Sequence, residues 1–233
     1  MNPPLTNLRK FRAILFDFGG TLDSDGFNWK ERFYPLYRAA GLQWDFKKYE
    51  KYFYYSDDFL TAKKIKTSSY VQTIRMQVSL VLKRAHEYKS SLVDKIVRPF
   101  VVDSLKTIQR NRPLIQKLSQ KYRLGIVSNF YGNLPVLCKE FRLTQFFDAI
   151  VDSNRVGWVK PDPKIFFCAL NGLKVSPEQS IFIGDSPSRD MQGAKAIGMP
   201  HLWLRAEHVK GVKRCCPKDR DIRSFLELED LLL

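Results

Sequence analysis

The sequence predicts an α/β fold: a Rossmann-like parallel sheet core with helices on both faces and an inserted all-helical cap domain. Three observations carry this. Short β-rich apolar runs recur, each ending in small, polar or acidic residues; helical patterns separate them; and one long stretch is helical throughout. The first run, residues 11–16, leads into Asp17-Phe-Gly-Gly-Thr21 and reads as a buried strand with a tight loop behind it. Runs at 123–127 before Ser128-Asn129, at 149–151 before Asp152-Ser153, and at 180–183 before Gly184-Asp185 repeat the design, and 200–204 is a weaker fifth. Helical patterns lie between them at about 110–122, 134–141, 163–170 and 190–197. Strands that alternate with helices and are apolar along their length suit a parallel sheet covered on both faces. Ligands of such sheets bind beyond the carboxyl ends of the strands.

Residues 24–107 break the rhythm. They offer helical stretches at about 28–40, 45–59, 70–88 and 92–107, with Gly41 as a helix stop and Ser68-Ser69 as a helix start. The expected division is therefore 1–23 plus 108–233 for the catalytic core and 24–107 for the helical domain.

Composition narrows the functional classes. The chain has 233 residues and 44% hydrophobic content, enough for one α/β domain with an insert. Its 39 Lys and Arg outnumber 24 Asp and Glu, a net charge of +15 that favours anionic ligands. The basic residues are scattered, with small concentrations at Lys47-Lys48, at Lys63, Lys64 and Lys66, and across 208–223. These read as solvated faces, so nucleic acid is not an expected partner. No apolar run approaches the roughly 18 residues of a membrane helix, and the run at 11–16 is interrupted by Arg12, unlike a secretion signal. Cys138 and Cys168 read as small buried hydrophobes, and Cys215-Cys216 has no second pair to complete a metal site. A reducing cytoplasm fits this usage.

The strand ends carry the chemistry. Asp17 could attack phosphorus and hold it as an acyl phosphate, although an isolated Asp at a strand end is more often a loop or capping residue. Ser128 and Asn129 offer a hydroxyl and an amide to phosphoryl oxygens. Lys160, fixed before Pro161, can place a positive charge on a phosphoryl group and its attacking carboxylate. Asp185 and Asp190 can hold a hard cation through oxygen, and Asp190 also stands where a helix N-cap would. A metal there would keep Asp17 and a phosphate dianion from repelling each other.

The ordered set Asp-x-x-x-Thr, Ser-Asn, Lys-Pro-Asp-Pro-x-Ile-Phe and Gly-Asp-Ser-x-x-x-Asp-x-x-Gly-Ala resembles the haloacid dehalogenase superfamily, in its subgroup with a helical cap between the first two motifs. The resemblance covers nearly the whole chain. It implies a Mg²⁺-dependent phosphatase-type hydrolase acting on a small phosphorylated metabolite, with Asp17 as nucleophile and Lys160 neutralising charge. It implies phosphate contacts from Thr21, Ser128 and Asn129. It also implies a metal site of Asp17, the Gly19 carbonyl, Asp185 and Asp190, with Asp185 binding directly and Asp190 ordering the shell.

One departure stands out. Phosphatases of this family usually carry a second Asp two residues after the nucleophile, as acid/base. Here that position is Gly19. Asp23 or Asp25 could substitute, or could merely shape the turn at Ser24-Asp25-Gly26. Restoring the acid with Gly19→Asp is expected to raise turnover by about 10-fold or more if the backbone tolerates it. Two other readings remain open. One is a slow or inactive relative that binds a phosphorylated ligand or a protein. The other is a carbon–phosphorus hydrolase using Lys47, Lys63 or Lys66 as a Schiff base. The insert is crowded with rings, among them Trp29, Phe33, Tyr37, Tyr49, Phe53 and Tyr54. They serve either as a small aromatic core or, in part, as the lining of a pocket.

Overall fold

A computed structural model describes residues 10–206 and 220–233. Cys215-Cys216 and most of the basic segment at 208–223 lie outside these residues. Five strands follow the apolar runs: β1 (Ala13–Phe16), β2 (Arg123–Ser128), β3 (Ala149–Asp152), β4 (Ser180–Gly184) and β5 (His201–Leu204). A sixth, β6 (Asp221–Ile222), is too short to leave a periodic signal in sequence. The sheet runs β3-β2-β1-β4-β5-β6, and every pairing is parallel. β1 is thus central. Ile14 and Phe16 feed one apolar cluster, whereas Ala13 and Leu15 feed the other, on the opposite face. This double burial explains the unbroken hydrophobicity of the strand.

Four helices connect β1 to β2: α1 (Trp29–Ala39), α2 (Phe46–Lys63), α3 (Tyr70–Arg84) and α4 (Ser90–Ser119). Ser69 caps α3 in a reciprocal capping box with Gln72, and Gly41, at φ +100°, follows the end of α1. The helices expected at 92–107 and 110–122 are a single helix, α4. Val97, Val101, Ser104, Ile108, Asn111, Ile115 and Leu118 keep one buried stripe running through the junction, and no glycine or cap interrupts it.

Among the described residues five shorter α-helices follow: α5 (Leu134–Glu140), α6 (Ser153–Val156), α7 (Pro163–Leu173), α8 (Gln192–Ala196) and α9 (Leu228–Leu232). A turn of π-helix, Pro187–Met191, precedes α8. Ser186 caps that turn, so Asp190 lies inside it and is not an N-cap. Cys138 is buried as expected, but Cys168 is only half-buried, on the partly exposed side of α7.

The insert is not separated from the sheet. Leu22, Trp29, Phe33, Tyr70, Phe100 and Phe130 belong to the same apolar cluster as Ile14 and Phe16. Phe33 and Phe100 stack with ring centroids 3.8 Å apart. Most of the insert's rings are therefore core. Trp29, Phe53 and Tyr54 also line a cavity at the carboxyl end of the sheet, and Tyr55 and Phe59 are exposed.

Candidate active site

A reversal in the strand order positions the site. From β1 the chain steps outward to β2 and β3, then crosses back to β4 on the other side of β1, which opens a crevice beyond the strand ends. Asp17, Ser128 and Gly184-Asp185 sit at those three ends. They converge because register aligns the strands: Phe16 pairs with Ile126 on one side and Ile183 on the other. The Asp17 amide donates to the Ile183 carbonyl at 2.9 Å, which ties the loop after β1 to β4.

Asp17 uses one carboxylate oxygen twice. Oδ1 accepts from its neighbour's amide, Phe18 N, at 2.7 Å and pairs with Lys160 Nζ at 2.8 Å. Its other oxygen has no hydrogen-bond donor among the described residues, and Asp17 lines the cavity. That is the disposition a nucleophilic carboxylate needs: one oxygen anchored, the other free.

Lys160 is buried between two carboxylates, with Nζ donating to Asp190 Oδ1 at 2.6 Å. Burial opposes its charge, but Asp17 and Asp190 more than offset that, and its pKa stands above the ordinary lysine value. Asn129 fixes the same residue through the main chain. Its Oδ1 accepts from Lys160 N at 2.7 Å and its Nδ2 donates to Lys160 O at 3.1 Å. Asn129 thus positions Lys160, and it also lines the cavity, with a second Nδ2 hydrogen not used by Lys160.

Asp185 and Asp190 lie deeper. Asp185 Oδ1 is buried without a partner. Asp190 accepts from Ser186 N at 2.9 Å as well as from Lys160. Two glycines permit this crowding. A Cβ at Gly20, whose φ is +87°, would lie 2.6 Å from Asp185 Cγ, and one at Gly184 would lie 2.4 Å from Asp190 Oδ2. Burial, then repulsion from Asp190 and Asp17, holds the Asp185 carboxyl well above the usual range.

Oxygens of Asp17, Asp185 and Asp190 all lie within 4.8 Å of one another. Three mutually repelling carboxylates with an orphaned buried oxygen among them form a donor set suited to a hard divalent cation. Ser128 lines the cavity above them, which measures about 540 Å³. Thr21 does not line it: its hydroxyl is buried with no partner.

The profile of the haloacid dehalogenase-like hydrolase family matches residues 14–204, most of the chain. The chain belongs to that family. It is 43% identical over 84 residues to haloacid dehalogenase-like hydrolase domain-containing protein 3 of Bos taurus, covering 36% of this chain and 33% of that protein. It is 35% identical over 98 residues to the glyceraldehyde 3-phosphate phosphatase of Pyrococcus furiosus, covering 40% of each. These alignments span well under half of either relative. The magnesium-bound structure of YfnB from Bacillus subtilis shares the fold, with a TM-score of 0.56 at 21% identity across 96% of this chain and 99% of that one.

The surroundings of Gly19 are tightly packed. Its φ is not positive, so an aspartate would meet no backbone strain there. The space is filled instead. A Cβ at position 19 would lie 3.3 Å from Trp29 Nε1, and that nitrogen donates to Asp23 Oδ2 at 2.7 Å. Asp23 is fully buried and also accepts from Gly20 N at 2.7 Å and Arg32 NH1 at 2.9 Å. Asp25 accepts from Arg110 and from Phe225 N, at 2.8 and 3.0 Å. Neither lines the cavity. Both are scaffold for the loop, not stand-ins for the missing acid.

The Gly19→Asp expectation changes accordingly. Alone, the substitution must push aside, by a few tenths of an ångström, a tethered indole that packs on Phe33, Tyr70, Phe100 and Phe130. It should cost about 1–3 kcal/mol of stability through overpacking and give no gain in turnover. Thermal unfolding and steady-state rates of the folded variant check this; a stable variant with a 10-fold gain would contradict it.

Two cavity residues left no motif signal. Arg189 sits inside Gly-Asp-Ser-Pro-Ser-Arg-Asp, where only the flanking acids attract notice, and its Nε donates to Ser186 Oγ at 3.3 Å. Asp57 lies in the aromatic-rich helix α2 and accepts a short hydrogen bond from Tyr131. Lys47, Lys63 and Lys66 do not line the cavity, which leaves the Schiff-base reading without a lysine of its own choosing. Lys30 does line it, but is paired to Glu50 and hydrogen-bonded to Tyr54.

Proposed function

We propose that the chain is a Mg²⁺-dependent phosphomonoesterase that works on a small phosphorylated metabolite through an aspartyl-phosphate at Asp17. The observation that carries this reading is the pairing at Asp17: Oδ1 fixed by Lys160 and Phe18 N, the other oxygen without a donor, in a residue that lines the cavity. Asp17, Asp185 and the Gly19 carbonyl would hold Mg²⁺, with Asp190 orienting Lys160 and the site around them. Bound Mg²⁺ would supply the positive charge that lets a phosphate dianion approach a carboxylate. The free oxygen of Asp17 bonds to phosphorus as the bond from phosphorus to the ester oxygen breaks and the alcohol leaves, while Lys160 offsets the growing negative charge. The Ser128 hydroxyl donates to a phosphoryl oxygen, with Thr21 and Asn129 supporting the same loops. Water then attacks the phosphorus of the aspartyl-phosphate, which frees phosphate and restores Asp17.

Residues 24–107 are the cap in this reading, covering the carboxyl end of residues 1–23 and 108–233 and selecting substrate. No described helix is long and apolar enough to cross a membrane, and we place the enzyme in the cytoplasm on its cysteine usage. The test is phosphate release from a panel of metabolites, with Mg²⁺ and with chelator. Mg²⁺-dependent release from one compound or a small set supports the reading; release undiminished in chelator overturns the metal assignment. A second reading, a weakly active relative that binds a phosphorylated ligand, draws on the absence of the usual acid at Gly19, against which Trp29 packs tightly. It predicts binding without release across the panel.

Metal binding should also appear in stability. Mg²⁺ at 100 times its Kd stabilises the folded state by about 2.7 kcal/mol, roughly 5–10 °C in Tm for a chain of this size. Asp185→Ala should remove the shift. A wild type with no Mg²⁺-induced shift would contradict the site.

A further inference from the structure

Gly19 leaves the reaction without its usual proton donor, and Asp23 and Asp25 are committed elsewhere. Among the described residues that line the cavity, the remaining carboxylates besides Asp17 are Asp57 and Asp58, both on α2. Asp58 is exposed, whereas Asp57 is half-buried and held in place. Its Oδ1 accepts from the Tyr131 hydroxyl, and Tyr131 in turn lies 3.0 Å from the Gln77 amide. Tyr131 and Gln77 are both buried, so the pair forms a rigid back wall. The second oxygen of Asp57 has no partner among the described residues.

We propose that Asp57 is the proton-transfer residue of the phosphatase reaction, replacing the acid missing at position 19. This rests on the phosphatase reading above. In the first step the Asp17 oxygen forms a bond to phosphorus as the bond to the leaving oxygen breaks, and the Asp57 carboxyl gives its proton to that oxygen. In the second, the Asp57 carboxylate takes a proton from water as the water oxygen bonds to phosphorus. The Asp17–phosphorus bond then breaks, phosphate leaves, and Asp57 is again protonated. The arrangement differs from an acid on the loop after β1 because the proton comes from the insert. Only a substrate enclosed between α2 and the strand ends would meet both groups.

The electrostatics suit the role. Burial raises the Asp57 carboxyl above its ordinary value, against the Tyr131 hydrogen bond and the Arg189 charge, with Asp58 adding slightly to the rise. Those three are the titratable or charged groups that act on it. Arg189, from the π-turn after β4, also feels Asp185, Asp190 and Asp17, so it links the field at Asp57 to the field at the nucleophile.

The test uses the full-length enzyme with Mg²⁺ and a series of aryl phosphates from 4-nitrophenyl to phenyl phosphate, whose leaving groups demand increasing protonation. Asp57→Asn should lose on the order of 10²-fold or more in kcat/KM on phenyl phosphate and under about 10-fold on 4-nitrophenyl phosphate, steepening the leaving-group dependence. A carboxyl that must be protonated to act loses activity as pH rises through its raised pKa. The wild-type rate on phenyl phosphate should therefore fall along that limb, and Asp57→Asn should lack it. Asp57→Glu should recover part of both. An equal loss across the series with the pH limb intact would assign Asp57 a structural role and overturn the proposal. So would an unchanged rate on phenyl phosphate, and either result leaves the phosphatase reading standing if Asp17→Asn is still inert. A wild type that releases phosphate from none of the series overturns both.

Discussion

Asp17→Asn should lower phosphate release by on the order of 10⁴-fold or more, the scale on which loss of a covalent nucleophile acts, while the protein stays folded. An amide oxygen can still accept from Phe18 N and Lys160, so the two contacts that anchor Oδ1 survive. What is lost is the second, unpartnered oxygen as a charged nucleophile. The near-isosteric exchange also removes one of three crowded negative charges, so the Tm of the metal-free protein should not fall. Steady-state release of phosphate and thermal unfolding check the two halves. Activity within tenfold of the wild type, in protein free of contaminating phosphatase, would rule out Asp17.

The second large effect separates the two deeper acids. Both Asp185→Ala and Asp190→Ala should weaken the proposed metal site, but for different reasons. Asp185 carries a buried oxygen with no protein partner and a carboxyl pushed up by burial and by its neighbours. Its removal relieves repulsion in the metal-free protein, so stability should hold while the Mg²⁺ concentration needed for activity rises steeply. Asp190 is fully buried and accepts from Lys160 Nζ and Ser186 N. Its removal strands part of a buried charge and an amide, which costs about 3–5 kcal/mol and lowers Tm by roughly 6–20 °C. Its effect on the Mg²⁺ requirement should be the smaller of the two. Equal effects on the metal requirement would show that direct ligand and orienting residue are wrongly assigned.

Much of this was legible in the chain before any coordinates. The five longer strands announce themselves because a strand buried on both faces must be apolar along its length, and residues 13–16 and 181–183 are. The strand-end acids stand out because Asp17 directly follows such a run and Asp185 follows one after a single glycine. The helical insert was readable from its caps, Ser69 and Gly41. What stayed hidden depends on contacts between distant segments. Nothing local distinguishes Asp23 from a turn residue; its role comes from Trp29 and Arg32, which the insert folds back onto it. Nothing local shows that Asn129 also holds the main chain of Lys160, thirty-one residues later, through both ends of its amide. Asp57 sits in a helix whose pattern is dominated by rings, and only the placement of α2 beside Tyr131 brings it to the cavity. The junction inside α4 was misread because charged residues at 106, 110 and 112 obscure a buried stripe that continues through Ile108 and Asn111.

Trp29 deserves the same physical reading. Its indole lies in tight contact with the place of a Cβ at position 19, hydrogen-bonds the loop carboxylate Asp23, and packs in the shared core. The insert therefore reaches into the loop that carries Asp17. Gly19 and Trp29 are one structural solution, which is why restoring the acid at position 19 alone should fail.

The central claim is a covalent intermediate on Asp17, and it can be observed directly. The Mg²⁺-loaded enzyme is mixed with 4-nitrophenyl phosphate, quenched in acid within the first turnovers, digested, and examined by mass spectrometry. The account predicts one added phosphoryl group on the peptide containing Asp17, removed by hydroxylamine and absent from Asp17→Asn. Nitrophenol released with no phosphorylated peptide at any quench time, or a phosphoryl group on a peptide other than that of Asp17, would contradict it.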